Sequence, residues 1–151
     1  MTIKNDEIRF RFLFGLYQKN NGEHTSELIY PKEILKLVGL DEVEEKSLIQ
    51  EITYLNKEGL IGGDFTDGKL LPAYVSTTNW GIETIEEIMS KSLASYIQKS
   101  NNDIKDEIKQ IEIEESLPKQ YLNLWEYSQK DSKLREIINE KIAKLISDPG
   151  F

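Results

Sequence analysis

Apolar residues recur with a helical period along most of the chain, broken once near the middle by glycines, a proline and short alternating runs. Phe10, Leu13, Phe14 and Tyr17 fall at i, i+3, i+4 and i+7, and Ile8, Phe12 and Leu16 make a second stripe on another side. This spacing predicts a first helix over residues 5–19, capped by Asn5 or Asp6. A helix apolar on two sides is either central in its domain or shared with a partner chain. Arg9 and Arg11 interrupt the stripes: either they pair with carboxylates at the helix margin, or they form a basic spot near a phosphate.

A polar loop then leads to Glu27-Leu28-Ile29-Tyr30, a short strand stopped by Pro31. Pro31 suits the first position of a second helix, with Ile34, Leu35 and Val38 inward and Gly39 closing it. A third helix is predicted from Asp41, which makes a capping box with Glu44. It buries Leu48, Ile52 and Leu55, flanked by Val43 and Ile49, and exposes Glu44, Glu45, Lys46, Gln50, Glu51, Tyr54 and Lys57. Gly59 ends it. Leu60-Ile61 then enters a hairpin with a glycine bulge at Gly62-Gly63 and an Asp67-Gly68 turn. The return strand covers residues 69–77, and Pro72 puts it at a sheet edge.

Thr77, Thr78 or Asn79 caps a fourth helix whose apolar side is Trp80, Ile82, Ile85, Ile88 and Met89. From Ala94 the spacing turns heptad-like through Ile97, Asn101, Ile104, Ile108 and Ile111, little more than two heptads, with Asn101 able to fix register at a seam. Pro118 breaks this run and opens a last helical region, first Tyr121, Leu122, Leu124 and Trp125, then Leu134, Ile137, Ile138, Ile142, Leu145 and Ile146 up to Asp148-Pro149-Gly150. The expected fold class is α+β, mostly α, with a compact domain over residues 1–90 and a helical extension over 91–151. That extension either self-associates or folds back onto the first helix.

Charge narrows the function. The 151 residues hold 19 basic and 27 acidic side chains, a formal net charge of −8, shared evenly between the parts before and after residue 82. Long-range attraction to a polyanion is therefore unfavourable, and any nucleic-acid affinity has to come from a local patch. The chain has no cysteine, which excludes disulfides, thiolate chemistry and cysteine metal sites. His24, the single histidine, sits in a polar loop without partners for metal or acid/base work. No glycine-rich phosphate loop or converging carboxylate pair is present, so neither an enzyme nor a cofactor or metal is expected. No apolar run approaches the length of a membrane span and no signal peptide is recognisable, which makes a cytoplasmic protein the expectation.

Leu55-Asn56-Lys57-Glu58-Gly59-Leu60-Ile61, the hairpin centred on Asp67-Gly68, and Val75-Ser76-Thr77-Thr78-Asn79-Trp80-Gly81-Ile82 running into Glu83-Thr84-Ile85-Glu86 together form a pattern. It resembles the winged helix-turn-helix superfamily, of the broad MarR/PadR type, over about residues 5–90. The resemblance implies a dimeric DNA-binding transcriptional regulator, with the third helix in the major groove and the wing at the backbone or minor groove. The side chains it would bring to duplex DNA are Lys32, Lys36, Lys46, Gln50, Tyr54, Lys57 and Lys69. Those it would bring to a homodimer or another partner are Phe10, Phe14, Ile97, Ile104, Ile108, Ile111, Trp125, Ile138 and Leu145. Residues 41–58 depart from the pattern, with six acidic side chains against two basic ones. Carboxylates on the reading face oppose phosphate, Glu45 and Glu51 above all. The alternative is a protein–protein interaction or assembly module that binds no DNA and takes another protein through the acidic helix or the C-terminal helices.

Overall fold

Residues 3–24, 27–65, 70–100, 105–114 and 116–146 are described by the computed structural model. Over these residues the chain is α+β and mostly helical, with seven helices and one two-stranded antiparallel sheet. Its backbone contacts divide it into two units, one reaching to Ile85 and one starting at Glu86.

In the first unit, α1 (Asn5–Lys19) is buried along both of its apolar stripes and packs on α2 (Pro31–Leu37) and α3 (Glu45–Lys57). Neither Asn5 nor Asp6 caps α1. Extended Lys4 holds that position without a side-chain bond, while Asp6 and Glu7 lie in the first turn, where carboxylates favour the helix dipole. Pro31 opens α2 as expected. Of the predicted strand 27–30 only Ile29 pairs, exchanging two backbone hydrogen bonds with Val75 (2.9 and 2.8 Å), because α2 begins two residues later.

The turn after α2 delays α3. The amide of Leu40 donates to the Leu35 carbonyl at 2.8 Å across Gly39, and the amide of Val43 donates back to Leu40 at 3.1 Å. With residues 41–43 spent in this turn, the helix starts at Glu45, Glu44 takes the N-cap place without a side-chain bond, and the expected Asp41–Glu44 capping box does not form. The α3 terminus closes in the same way, with Gly59 at φ +74° and the Leu60 amide on the Leu55 carbonyl at 2.9 Å. This is the left-handed closure that glycine permits at low cost.

Strand β1 (Ile61–Gly63) pairs antiparallel with β2 (Val75–Thr77), Ile61 facing Thr77, Gly62 facing Ser76 and Gly63 facing Val75. This one-to-one register contains no bulge at Gly62-Gly63. The return strand is shorter than expected and begins after Pro72, which therefore interrupts no ladder. Two more backbone bonds, Asp64 to Tyr74 (3.0 Å) and Ala73 to Asp64 (3.3 Å), carry the hairpin outward. The expected Asp67-Gly68 turn lies outside the described residues.

Helix α4 (Asn79–Ser100) starts against the end of α3. The Thr78 hydroxyl accepts from the Gly81 amide at 3.0 Å and donates to the Gly59 carbonyl at 2.8 Å, so one side chain caps α4 and ties it to the turn that ends α3. Asn56 adds a bond from its side-chain amide to the Ile61 carbonyl at 3.2 Å. A Cβ at position 81 would run into the Leu60 carbonyl oxygen, which gives the glycine three residues after Thr78 a steric reason.

In the second unit α6 (Leu117–Ser128) packs on α5 (Asp106–Glu112) and α7 (Ser132–Leu145). The Gln120 side chain donates to the Ile111 and Glu112 carbonyls at 3.0 Å each, fastening α6 to the end of α5. The heptad-like run is not one helix. Lys105 is extended (φ −67°, ψ 152°) and starts α5 afresh, Ala94 is exposed, and the buried side chains of α4 in this unit are instead Ile88, Met89, Ser92, Leu93 and Tyr96. Asn101 and Ile104 lie outside the described residues. Asp131 caps α7 by accepting from the Leu134 amide at 3.0 Å, and its other oxygen accepts from the Tyr96 hydroxyl at 2.7 Å. Burial opposes ionisation of Asp131, but the bonds from Tyr96 and the Leu134 amide, with the charge of Lys105, outweigh it and hold its pKa below the usual carboxylate value.

Two outcomes follow from these contacts. Gly81→Ala forces backbone apart and is expected to cost about 1–3 kcal/mol of stability, read as a lower urea midpoint with the slope unchanged. An unchanged midpoint would contradict the close approach. A depressed pKa in the folded state means that Asp131 contributes stability above its unfolded pKa and loses it as pH falls through the folded value. Wild type is therefore expected to lose more stability than Asp131→Asn below about pH 4, read by thermal unfolding at stepped pH. Parallel curves would contradict this.

Candidate nucleic-acid interface

The inner faces of α1 and α3 meet at a charge pair. The Arg9 Nε–H donates to Glu51 Oε1 at 2.6 Å, with Arg9 4% and Glu51 1% exposed. The Tyr54 ring, one turn along α3, lies against the guanidinium, its centroid 3.6 Å from the central carbon. An arginine inside an apolar stripe requires a compensating carboxylate, because an isolated buried cation is costly. Glu51 supplies it from the i+3 position of the Leu48, Ile52, Leu55 stripe. The expectation that Glu51 lies on the outer face is thereby corrected. Arg11 pairs with Glu7 at 3.2 Å, so both arginines meet carboxylates.

With Glu51 turned inward, the outer side of α3 changes character. A groove of about 720 Å³ runs along it, lined by Glu45, Lys46, Ile49, Gln50, Thr53, Tyr54 and Lys57, with Leu70 from the hairpin. Its charged members are one carboxylate and two ammonium groups, so the six-to-two acidic excess read over residues 41–58 does not describe this surface. The remaining carboxylates, Asp41, Glu42, Glu44 and Glu58, are exposed in the turns flanking the helix.

Lys46, Gln50, Tyr54 and Lys57, four of the expected DNA-contact residues, thus share one surface. Lys32 and Lys36 are exposed on α2 and do not line it. Lys69 lies outside the described residues. Thr53 and Leu70 were not anticipated. Thr53 could have been found as the i+7 neighbour of Lys46 on the stripe that Gln50 shares, whereas nothing in the sequence brings Leu70 across to α3.

Of the expected partner residues, Phe10, Phe14, Ile108, Ile111 and Ile138 are buried within the chain. Phe10 and Phe14 stack on each other at 5.3 Å between centroids. Ile97 and Trp125 are half-buried, the latter with the Arg135 guanidinium 4.3 Å from its ring centroid, and Leu145 is exposed. Ile104 lies outside the described residues. Among the described residues no cluster of three or more side chains suited to a metal ion occurs, and no helix is long and apolar enough to cross a membrane.

Comparison with known protein families, curated proteins and solved structures finds no match for the chain.

The buried pair makes a stability prediction. Arg9→Met leaves a buried carboxylate uncompensated and is expected to cost about 3–5 kcal/mol in urea unfolding. Replacing both partners, Arg9→Met with Glu51→Leu, is expected to recover most of that loss. A single mutant as stable as wild type would contradict the burial.

Proposed function

We propose that the chain is a winged helix-turn-helix protein of the broad MarR/PadR type that binds duplex DNA as a regulator, with α3 as the reading helix. The observation that carries this reading is the inward turn of Glu51 onto Arg9, which leaves Lys46, Gln50, Thr53, Tyr54 and Lys57 on the outer face of α3. The helix pair joined through Gly39, the hairpin after Gly59 and the Thr78 cap of α4 support the assignment, in the order the resemblance leads one to expect. With a net charge of −8 a single copy has few cations to offer, so the proposed DNA-binding form is a homodimer that doubles them. Its surface would include Ile97, Trp125 and Leu145, the described partner candidates that keep some exposure.

A second reading, a protein-interaction module, is favoured by one feature: Leu70 is 61% exposed beside Ile49 in the same groove. Binding to fluorescent duplex DNA, followed by anisotropy alongside sedimentation, separates the two. The proposal expects binding at about 50 mM salt that weakens as salt rises. Lys46→Glu and Lys57→Glu are each expected to weaken binding and to lower the slope of log affinity on log salt by roughly one. Absence of binding at low salt overturns the DNA-binding reading and leaves the interaction module.

A further inference from the structure

Lys46, Gln50, Thr53 and Lys57 fall at i, i+4, i+7 and i+11, one straight stripe along the outer side of α3. The two lysines stand about 16 Å apart along the helix axis. That span, with the reach of two flexible side chains, suits phosphates on opposite sides of a major groove about 12 Å wide. Between them lie a primary amide and a hydroxyl. Ile49 and Tyr54 flank the stripe, and Leu70 faces it from the hairpin.

Each of these groups has a preferred base edge. A glutamine amide donates to N7 and accepts from N6 of adenine, and a methyl or other apolar surface rests on the thymine methyl. Guanine is read best by a bidentate arginine, and the groove lining contains none. The two lysines sit at the ends of the stripe, where phosphates are nearer than base edges. Glu45, which could accept from cytosine, lies about 100° around the helix from Lys46 and off the stripe.

We infer that α3 reads A·T base pairs in the major groove, with Gln50 as the residue that specifies adenine and Thr53 and Ile49 as the surface that meets the thymine methyl. The inference rests on the DNA-binding reading above and names the sequence class that the same surface takes. Lys46 and Lys57 hold the backbone on either side and set register without specifying a base.

The test uses the full-length protein and a random duplex library. Rounds of selection are followed by anisotropy on the enriched duplex, on the same duplex with 7-deazaadenine for adenine, and with Gln50→Ala. The 7-deaza base lacks only the N7 acceptor of the major groove and leaves the minor groove unchanged. Enrichment of A·T pairs is expected, with binding weakened about tenfold or more by the 7-deaza replacement. Gln50→Ala, an exposed position that leaves the fold intact, is expected to be insensitive to that replacement, and Gln50→Arg to shift enrichment toward G·C pairs. Binding without enrichment of A·T pairs, or a 7-deaza effect that persists in Gln50→Ala, overturns the base assignment and leaves DNA binding standing. Failure to bind any duplex at about 50 mM salt overturns both.

Discussion

The Arg9–Glu51 pair is the constraint on which the first unit depends. Both groups are almost wholly buried, so removing either leaves a costly unpaired charge in the interior. The pair fixes how α1 and α3 face each other, because a 2.6 Å bond between two helices tolerates little sliding. It also sets the character of the opposite side of α3. Once Glu51 is committed to the interior, Tyr54 covers the guanidinium and the remaining outer side chains form a stripe with lysines at both ends.

From that helix outward the structure is joined by backbone groups at short range. The turn at Gly59 presents a carbonyl to Thr78, Thr78 caps α4, and the missing side chain at Gly81 lets α4 approach Leu60. Hairpin and helix are thereby referred to the C-terminus of α3. The orientation of the outer groove follows from the same joints, since Leu70 is delivered to it by the segment that returns to β2.

Much of this was legible in the sequence. Periodicity located the helices, Pro31 and Gly59 marked two of their limits, and Thr78 was one of three residues able to cap α4. The start of α3 was misread because the Gly39 closure consumes residues 41–43, an effect of backbone geometry that capping chemistry alone does not reveal. Glu51 was misread for a different reason. A charged residue on an inner stripe reads as exposed until its partner is identified, and here the partner is Arg9, 42 positions earlier. The heptad-like run of the second unit failed as a single helix because spacing carries no information on a break, and extended Lys105 supplies one. The groove was half legible: Lys46, Gln50, Tyr54 and Lys57 were selected by residue type, while Leu70 required the folded hairpin.

The surface argued to meet DNA therefore depends on a contact on the other side of its helix. The most direct measurement of that contact is the Arg9 side-chain Nε–H in a ¹⁵N-labelled sample of the full chain. A resolved, slowly exchanging proton with cross-relaxation to the Tyr54 ring, lost in Glu51→Leu, is the expected result. A rapidly exchanging proton with no proximity to Tyr54 would return Glu51 to the solvent side and remove the basis for reading α3 as a DNA-facing helix.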